Sequence, residues 1–298
     1  MDDSKSKSKD KSRALALVTL AYIAALCVAV GIGYAAGDRH PALIAFVADV
    51  AATLTIYTFA RCFRNASFYD AYWSVAPVAI GIFWLTGAAA LYGDHIRQLV
   101  ILFLVTFWGI RLTLNWARGW RGLKHEDWRY ADMRAKHGRW FWLTELIGIE
   151  MMPTLVVFLS CLPLYPALAA GTNPFNWLDG VAIAVTAAAV LIESLADEQL
   201  RAFVQSDPQP GEIMNRGLWR YSRHPNYFGE VAFWWGLYLF GLAADPSYWW
   251  TIAGPLAMTL LFVFISIPMM DKRSLARRPE YAEHMKRVSA FVPWFNRK

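Results

Sequence analysis

Long apolar runs recur from one end of this chain to the other, and they limit its folds more than any other feature. A helix needs about 20 apolar residues to cross the hydrocarbon core of a bilayer, where it must satisfy its own backbone hydrogen bonds. Runs of that kind lie at about 14–36, 42–60, 71–92, 98–116, 145–170, 178–197, 229–244 and 248–270. The seventh is short and Pro246 breaks the chain after it, so the last two read as a helical hairpin or a re-entrant pair. The expected fold is all-α: a polytopic transmembrane helical bundle of about eight spans with short cytoplasmic capping segments. Apolar residues make up 57% of the chain and charged ones 17%. Ordinary soluble domains have about 45–50% and about 25%, so the surplus apolar surface has to face lipid. The 15 Trp and 13 Tyr are enough for aromatic belts at both interfaces, which already accounts for most of these rings.

Charge fixes the expected orientation. Lys and Arg fall in alternate connections: Lys5, Lys7, Lys9, Lys11 and Arg13; Arg61 and Arg64; seven between Arg118 and Arg139; then Arg201, Arg216, Arg220 and Arg223; then a tail group from Lys272 to Lys298. The opposite connections hold only Arg39 and Arg97. That split follows the positive-inside rule, favours an even number of spans, and places both termini in the cytoplasm of what reads as a bacterial inner membrane. It also explains the net charge of +6 without nucleic acid. Residues 1–13 form a polar cytoplasmic tail, and 14–298 one membrane-embedded helical domain. The run from Ala14 to Ala36 exceeds the 7–15 residues of a signal-peptide core, so it reads as a retained first span. Cys27, Cys62 and Cys161 read as small core residues, and His40, His95, His125, His137, His224 and His284 have no metal-ligand spacing, so no metal is expected.

A charge at the bilayer centre costs about 2.5–3.5 kcal/mol, which makes intramembrane ionisable groups candidate sites. Here these are Asp49, Asp70, Arg111, Glu145, Glu150, Glu193, Asp197 and Glu230. Those near span ends are equally compatible with snorkelling. Glu193, Asp197 and Arg201 recur at four-residue steps and share a helical face, as do Arg111, Asn115 and Arg118 next to Trp108. Two such stripes imply a wet cavity between helices or a structural network of ion pairs. The densest cluster runs from Arg216 through Arg220, Tyr221, Arg223, His224, Pro225, Asn226 and Tyr227 to Glu230. His224-Pro225 reads as a helix start. Arginines just before a helix N-terminus suit phosphate, and Asn226 and Glu230, one turn apart, suit a ribose or an amide.

The string Arg223-His224-Pro225-Asn226-Tyr227-Phe228-Gly229-Glu230, with Gly217-Leu218-Trp219 before it, resembles the C-terminal region of the steroid 5-alpha-reductase superfamily, and the whole chain that superfamily's bacterial branch. Asn65 to Trp73, Trp108 to Leu112, Glu126 to Tyr130, Ala196 to Leu200, Pro279 to Tyr281 and Phe291 to Trp294 extend the likeness over about 61–295. The resemblance implies a membrane oxidoreductase that takes hydride from NADPH and reduces a carbon–carbon double bond conjugated to a carbonyl in a lipid such as a steroid. It implies a cofactor cavity in the C-terminal region, 178–298, without a Rossmann sheet, lined by Asp197, Arg201, Arg223, His224, Asn226, Tyr227 and Glu230 and closed by Asp271, Lys272 and Arg273. Arg111, Arg220, Tyr221 and Pro225 complete the expected cofactor set. The superfamily polarises the carbonyl with a glutamate and a tyrosine. Here the tyrosine position falls on Trp108, which can donate a hydrogen bond but not a proton. Asp70, flanked by Tyr69 and Tyr72, is the expected substitute acid.

The same Arg-His-Pro-x-Tyr string occurs in isoprenylcysteine carboxyl methyltransferases, which bind S-adenosylmethionine and carry paired glutamates after the last span. Asp271-Lys272-Arg273 stands in the corresponding place, and its cations suit the 2′-phosphate of NADPH better than a sulfonium. A non-catalytic lipid-binding membrane protein is the third reading, but lipid storage gives no reason for arginines at a helix start. The expected partners are the bilayer and a hydrophobic small-molecule substrate.

Overall fold

The computed structural model describes residues 2–296, without the side chains of residues 2–8, 88 and 89, so Lys5, Lys7, Arg297 and Lys298 of the charge pattern lie outside the described side chains. Among the described residues the fold is all-helical, a polytopic membrane bundle. The helices are α1 (Asp2–Ala35), α2 (Pro41–Phe63), α3 (Tyr72–Leu85), α4 (His95–Gly119), α5 (Trp128–His137), α6 (Phe141–Thr144), α7 (Met152–Cys161), α8 (Trp177–Gln205), α9 (Pro225–Ala244), α10 (Ala253–Leu261), α11 (Ile267–Arg277) and α12 (Tyr281–Arg287). A π-helical turn, Glu145–Met151, joins α6 to α7, and a second, Phe262–Ser266, joins α10 to α11.

Six helical segments are long and apolar enough to cross a membrane: Lys9–Ala35, Pro41–Phe63, His95–Gly119, Trp128–Ala170, Trp177–Gln205 and Pro246–Arg277. The expected spans at 71–92 and 229–244 are α3, of 14 residues and followed by a 3-10 turn at Ala88–Tyr92, and α9, of 20 residues. Neither meets that measure, and packing explains why they need not. α9 buries a run from Phe233 to Ala244 against protein, so its surface does not have to match lipid. Of the tail expected at 1–13, residues 2–13 are continuous with the first span in one helix. Asp245 caps the 3-10 turn Pro246–Ile252, so the last two passes form a hairpin.

Polar contacts sort the connections into two ends. At one, Lys11 donates to the Arg118 carbonyl (3.1 Å), Asn65 Nδ2 to the carbonyls of Leu123 and His125 (2.8 and 3.2 Å), and the Arg273 guanidinium lies over Trp128 at 3.6 Å. At the other, Arg97 is wholly buried. It grips both oxygens of Asp179 at 2.7 Å and the carbonyls of Asn173 and Pro174, while Asp179 also completes the capping box of α8. The basic connections therefore gather at one end, and Arg97 is a structural lock at the opposite one.

The tightest helix pair is α8 with α9. Gly229 sits against Ala189 and Glu193 of α8, and Gly236 against Thr186, so neither position has room for a Cβ. Beside that seam Trp108 of α4 stacks on Phe233 (4.5 Å between centroids, 10°) and meets Trp234 edge-on at 5.3 Å. Offset stacks and T-shaped contacts of this kind stabilise a core by about 0.5–1.5 kcal/mol each beyond area burial.

Candidate functional site

Three polar clusters interrupt this apolar bundle. The first lies where α4, α8 and α9 converge toward the basic end. Arg111 pairs with Glu193 (2.5 Å) and Asp197 (3.0 Å), Asn115 Nδ2 donates to Asp197 (3.1 Å), Arg201 donates to Asn115, and Asn226 Nδ2 donates to the second Asp197 oxygen (3.3 Å). The four-residue stripes on α4 and α8 thus meet face to face. Pro225 occupies the first turn of α9, with His224 in non-helical backbone before it, and this puts Asn226 beside Asp197 and Glu230 one turn deeper. There Trp108 and Trp234 each donate their indole N–H to one Glu230 oxygen, at 2.9 and 2.8 Å. The Trp108 donor is therefore directed at Glu230. Asn226 Oδ1 and Arg111 Nε are buried with no hydrogen-bond partner.

The second cluster holds the start of α9 in place. Arg223 donates to Asp271 (2.7 Å) and to the carbonyls of Met285 and Val288 (2.9 and 3.0 Å); His224 Nε2 and the Tyr281 hydroxyl lie 3.0 and 3.1 Å from the other Asp271 oxygen. Tyr227 stacks on His224 at 5.2 Å. Arg223, His224 and Asp271 are turned into the protein and bond one another, with only Arg223 Nε left without a partner among their described side-chain nitrogens and oxygens that are fully buried. Arg220, Tyr221 and Lys272 are exposed, and Arg201 and Arg273 are half-buried at the same end.

The third cluster separates the expected acid from its expected partners. Asp70 accepts from the Tyr130 hydroxyl at 2.6 Å in the connection between α2 and α3, where burial pushes its carboxyl up to about 6 against the pull of Arg129. Tyr69 and Tyr72 turn the other way. The Tyr69 hydroxyl lies 2.8 Å from Thr154 Oγ1, and that of Tyr72 donates to Asp49 Oδ1 at 2.8 Å. Asp49 is thus the acid that accompanies Tyr72, a pairing hidden in the sequence because the two lie 23 positions apart on different helices. Trp73, next to Tyr72, meets Trp108 edge-on at 5.9 Å, which links this cluster to the first.

A family model described as "Protein of unknown function (DUF1295)" matches residues 56–288, which is most of the chain. The chain belongs to the DUF1295 family. The match takes in the whole first and second clusters and leaves out α1 and Asp49. A fission yeast protein (Schizosaccharomyces pombe), itself described as uncharacterized, is 29% identical over 252 residues, covering 77% of this chain and 73% of its own. No solved structure matches this DUF1295 chain.

Proposed function

We propose that this DUF1295 protein is a membrane-embedded reductase of the steroid 5-alpha-reductase type, which uses NADPH to saturate a carbon–carbon double bond conjugated to a carbonyl in a lipid or steroid-like substrate. The observation that carries this reading is the buried, unpartnered Asn226 Oδ1 beside the Arg111–Asp197 network. An acceptor kept dry without a donor costs about 1–3 kcal/mol, so a ligand that brings an N–H or O–H there is favoured. A carboxamide or a ribose hydroxyl has that chemistry, and the residues present fit such a group. Arg111, Asp197 and Asn226 would hold the nicotinamide end, and Arg201, Arg220, Lys272 and Arg273 at the rim the phosphates. The bound nucleotide would supply hydride. Arg223, His224 and Asp271 tie the helix start to α11 and α12, so that these groups stay in register.

The chain's own chemistry is to polarise the carbonyl and deliver a proton. The Asp49–Tyr72 pair, 2.8 Å apart and deep in the dry bundle, supplies a phenol donor when a protonated Asp49 donates to the Tyr72 oxygen and frees the phenol O–H for the carbonyl. A donor fixed in low dielectric is far more effective on a developing enolate than one in water. Trp108 acts indirectly, by fixing Glu230. On this reading the basic end faces the cytoplasm of a bacterial inner membrane, where the nucleotide is available. A methyltransferase reading would need Asp271 free for a sulfonium ligand, but Arg223, His224 and Tyr281 already occupy it.

The test is NADPH oxidation by purified protein in lipid nanodiscs against a panel of lipid-soluble enones. Asp49→Asn and Tyr72→Phe are expected to lower turnover by roughly 10²–10⁴-fold while leaving NADPH affinity unchanged. Methyl transfer from S-adenosylmethionine with no NADPH oxidation would overturn the reading.

A further inference from the structure

Buried carboxyl oxygens in membrane proteins are normally paired, because lipid offers no water to pair them. Both oxygens of Glu150, Oε1 of Glu145 and Oδ2 of Asp49 have no hydrogen-bond partner here. Glu150 is 0% exposed, and no cation pairs with it among the described residues. It sits in the π-helical turn Glu145–Met151. In an α-helix, residues five apart point about 140° away from each other. The wider turn brings Glu145 and Glu150 toward one face. Glu145 in turn holds Arg61 at 2.9 Å, and Arg61 is 42% exposed at the basic end.

From Glu150 a line of hydroxyls leads inward. Thr154 follows one turn later in the same helical segment. Its Oγ1 lies 2.8 Å from the Tyr69 hydroxyl and 2.9 Å from Thr53 Oγ1. Thr53 lies one turn from Asp49 in α2 and against the Tyr72 hydroxyl, which donates to Asp49. Hydroxyls both donate and accept, so such a line can pass a proton by exchanging O–H bonds. The groups facing Glu150 are Tyr22 of α1, Tyr57 of α2, Tyr69 of the following connection and Glu145 on its own helix, none of them a cation.

We propose that Glu145, Glu150, Thr154, Thr53 and Tyr72 form a proton path from the Arg61 surface to Asp49, with Tyr69 holding Thr154 in line; Glu150, unpaired in this structure, enters the path by swinging its carboxyl between Glu145 and Thr154. When Tyr72 or Asp49 gives up its proton, one O–H bond breaks and the bond to the acceptor forms. Each hydroxyl behind it then loses one proton and gains one, Glu150 is left as a carboxylate, and water at the Arg61 mouth restores its proton by way of Glu145. The net transfer is one proton from water, which is what saturating a double bond consumes beside a hydride. That destination rests on the reductase reading, whereas the path does not. Glu145, Glu150, Thr154 and Thr53 are relay groups that need not touch substrate, whereas Tyr72 and Asp49 are the donor pair of the proposed reaction.

The experiment is infrared hydrogen–deuterium exchange on the full chain in nanodiscs, with neither substrate nor nucleotide. The neutral carboxyl stretches are assigned by their loss in Glu150→Gln and Asp49→Asn. The path predicts that exchange at Asp49 slows by at least about tenfold in Glu150→Gln and in the isosteric Thr154→Val, and recovers in Thr154→Ser. Absence of a neutral carboxyl at Glu150 or Asp49, or unchanged exchange at Asp49 in both variants, would overturn it. Exchange that follows the path in a protein that never oxidises NADPH would remove the reductase and leave the relay.

Discussion

Burial raises the Asp70 carboxyl from an ordinary 3.8 to about 6, because the cost of desolvating its charge exceeds the help from Arg129 and Tyr130. A group whose value is higher folded than unfolded favours the fold below the unfolded value. It loses that contribution as pH rises through the folded one. The protein should therefore lose stability between pH 3.8 and about 6 relative to Asp70→Asn, with no further difference above. Thermal unfolding of both in detergent across that range checks this, and parallel curves would contradict it. Arg223 and Asp271 form a different kind of pair, buried and multiply bonded. Removing one partner strands the other charge. Arg223→Ala or Asp271→Ala should therefore cost roughly 3–5 kcal/mol in unfolding measurements, while the double change to apolar residues costs less than either single one. The sequence marked Asp70 as out of place in a membrane and placed Arg223 and Asp271 at one cofactor cavity, but it paired none of them. Arg111 with Asp197 was legible because both stripes had helical spacing. Asp49 with Tyr72, and Trp108 with Glu230, depend on how helices pack, which spacing along the chain does not encode.

The helix α9 carries the site through its packing against α8. Gly236→Ala would drive a methyl group into Thr186, and Gly229→Ala one into the Ala189 backbone. Overpacking of a well-filled seam costs typically about 1–3 kcal/mol. The expected outcome for Gly236→Ala is a lowered unfolding temperature with the Asn226–Asp197 register shifted; an unchanged temperature would show that the seam is loose. The start of α9 was readable from His224-Pro225, since proline fixes the first helical turn. The expected short run at 229–244 ends where the helix ends, at Ala244, because Asp245 and Pro246 begin the next turn. The π-helical turn at Glu145–Met151 was not readable. Two glutamates five positions apart look like two unrelated groups under α-helical spacing, and only the wider turn aligns them.

Taken whole, the molecule is a bundle locked at one end and polar at the other. Arg97, Asp179 and the Asn173 and Pro174 carbonyls close the far end around a fully buried ion pair, whereas the basic end carries the Arg111–Asp197–Asn226 network, with Arg201 bonded to Asn115 and Arg273 lying over Trp128. Apolar run lengths and the alternation of basic connections sufficed to read this two-ended layout. What they left open is whether the Asp197–Asn226 network binds a nucleotide, as proposed. Titration of the purified protein with NADPH, NADH and S-adenosylmethionine, followed by quenching of its tryptophan fluorescence, decides that most directly. NADPH should bind tightest, and Asn226→Ala should weaken it by roughly 10-fold or more, the loss of about 1.4 kcal/mol expected when a buried hydrogen bond to the ligand is removed. Binding of S-adenosylmethionine alone, or NADPH affinity indifferent to Asn226, would contradict the assignment.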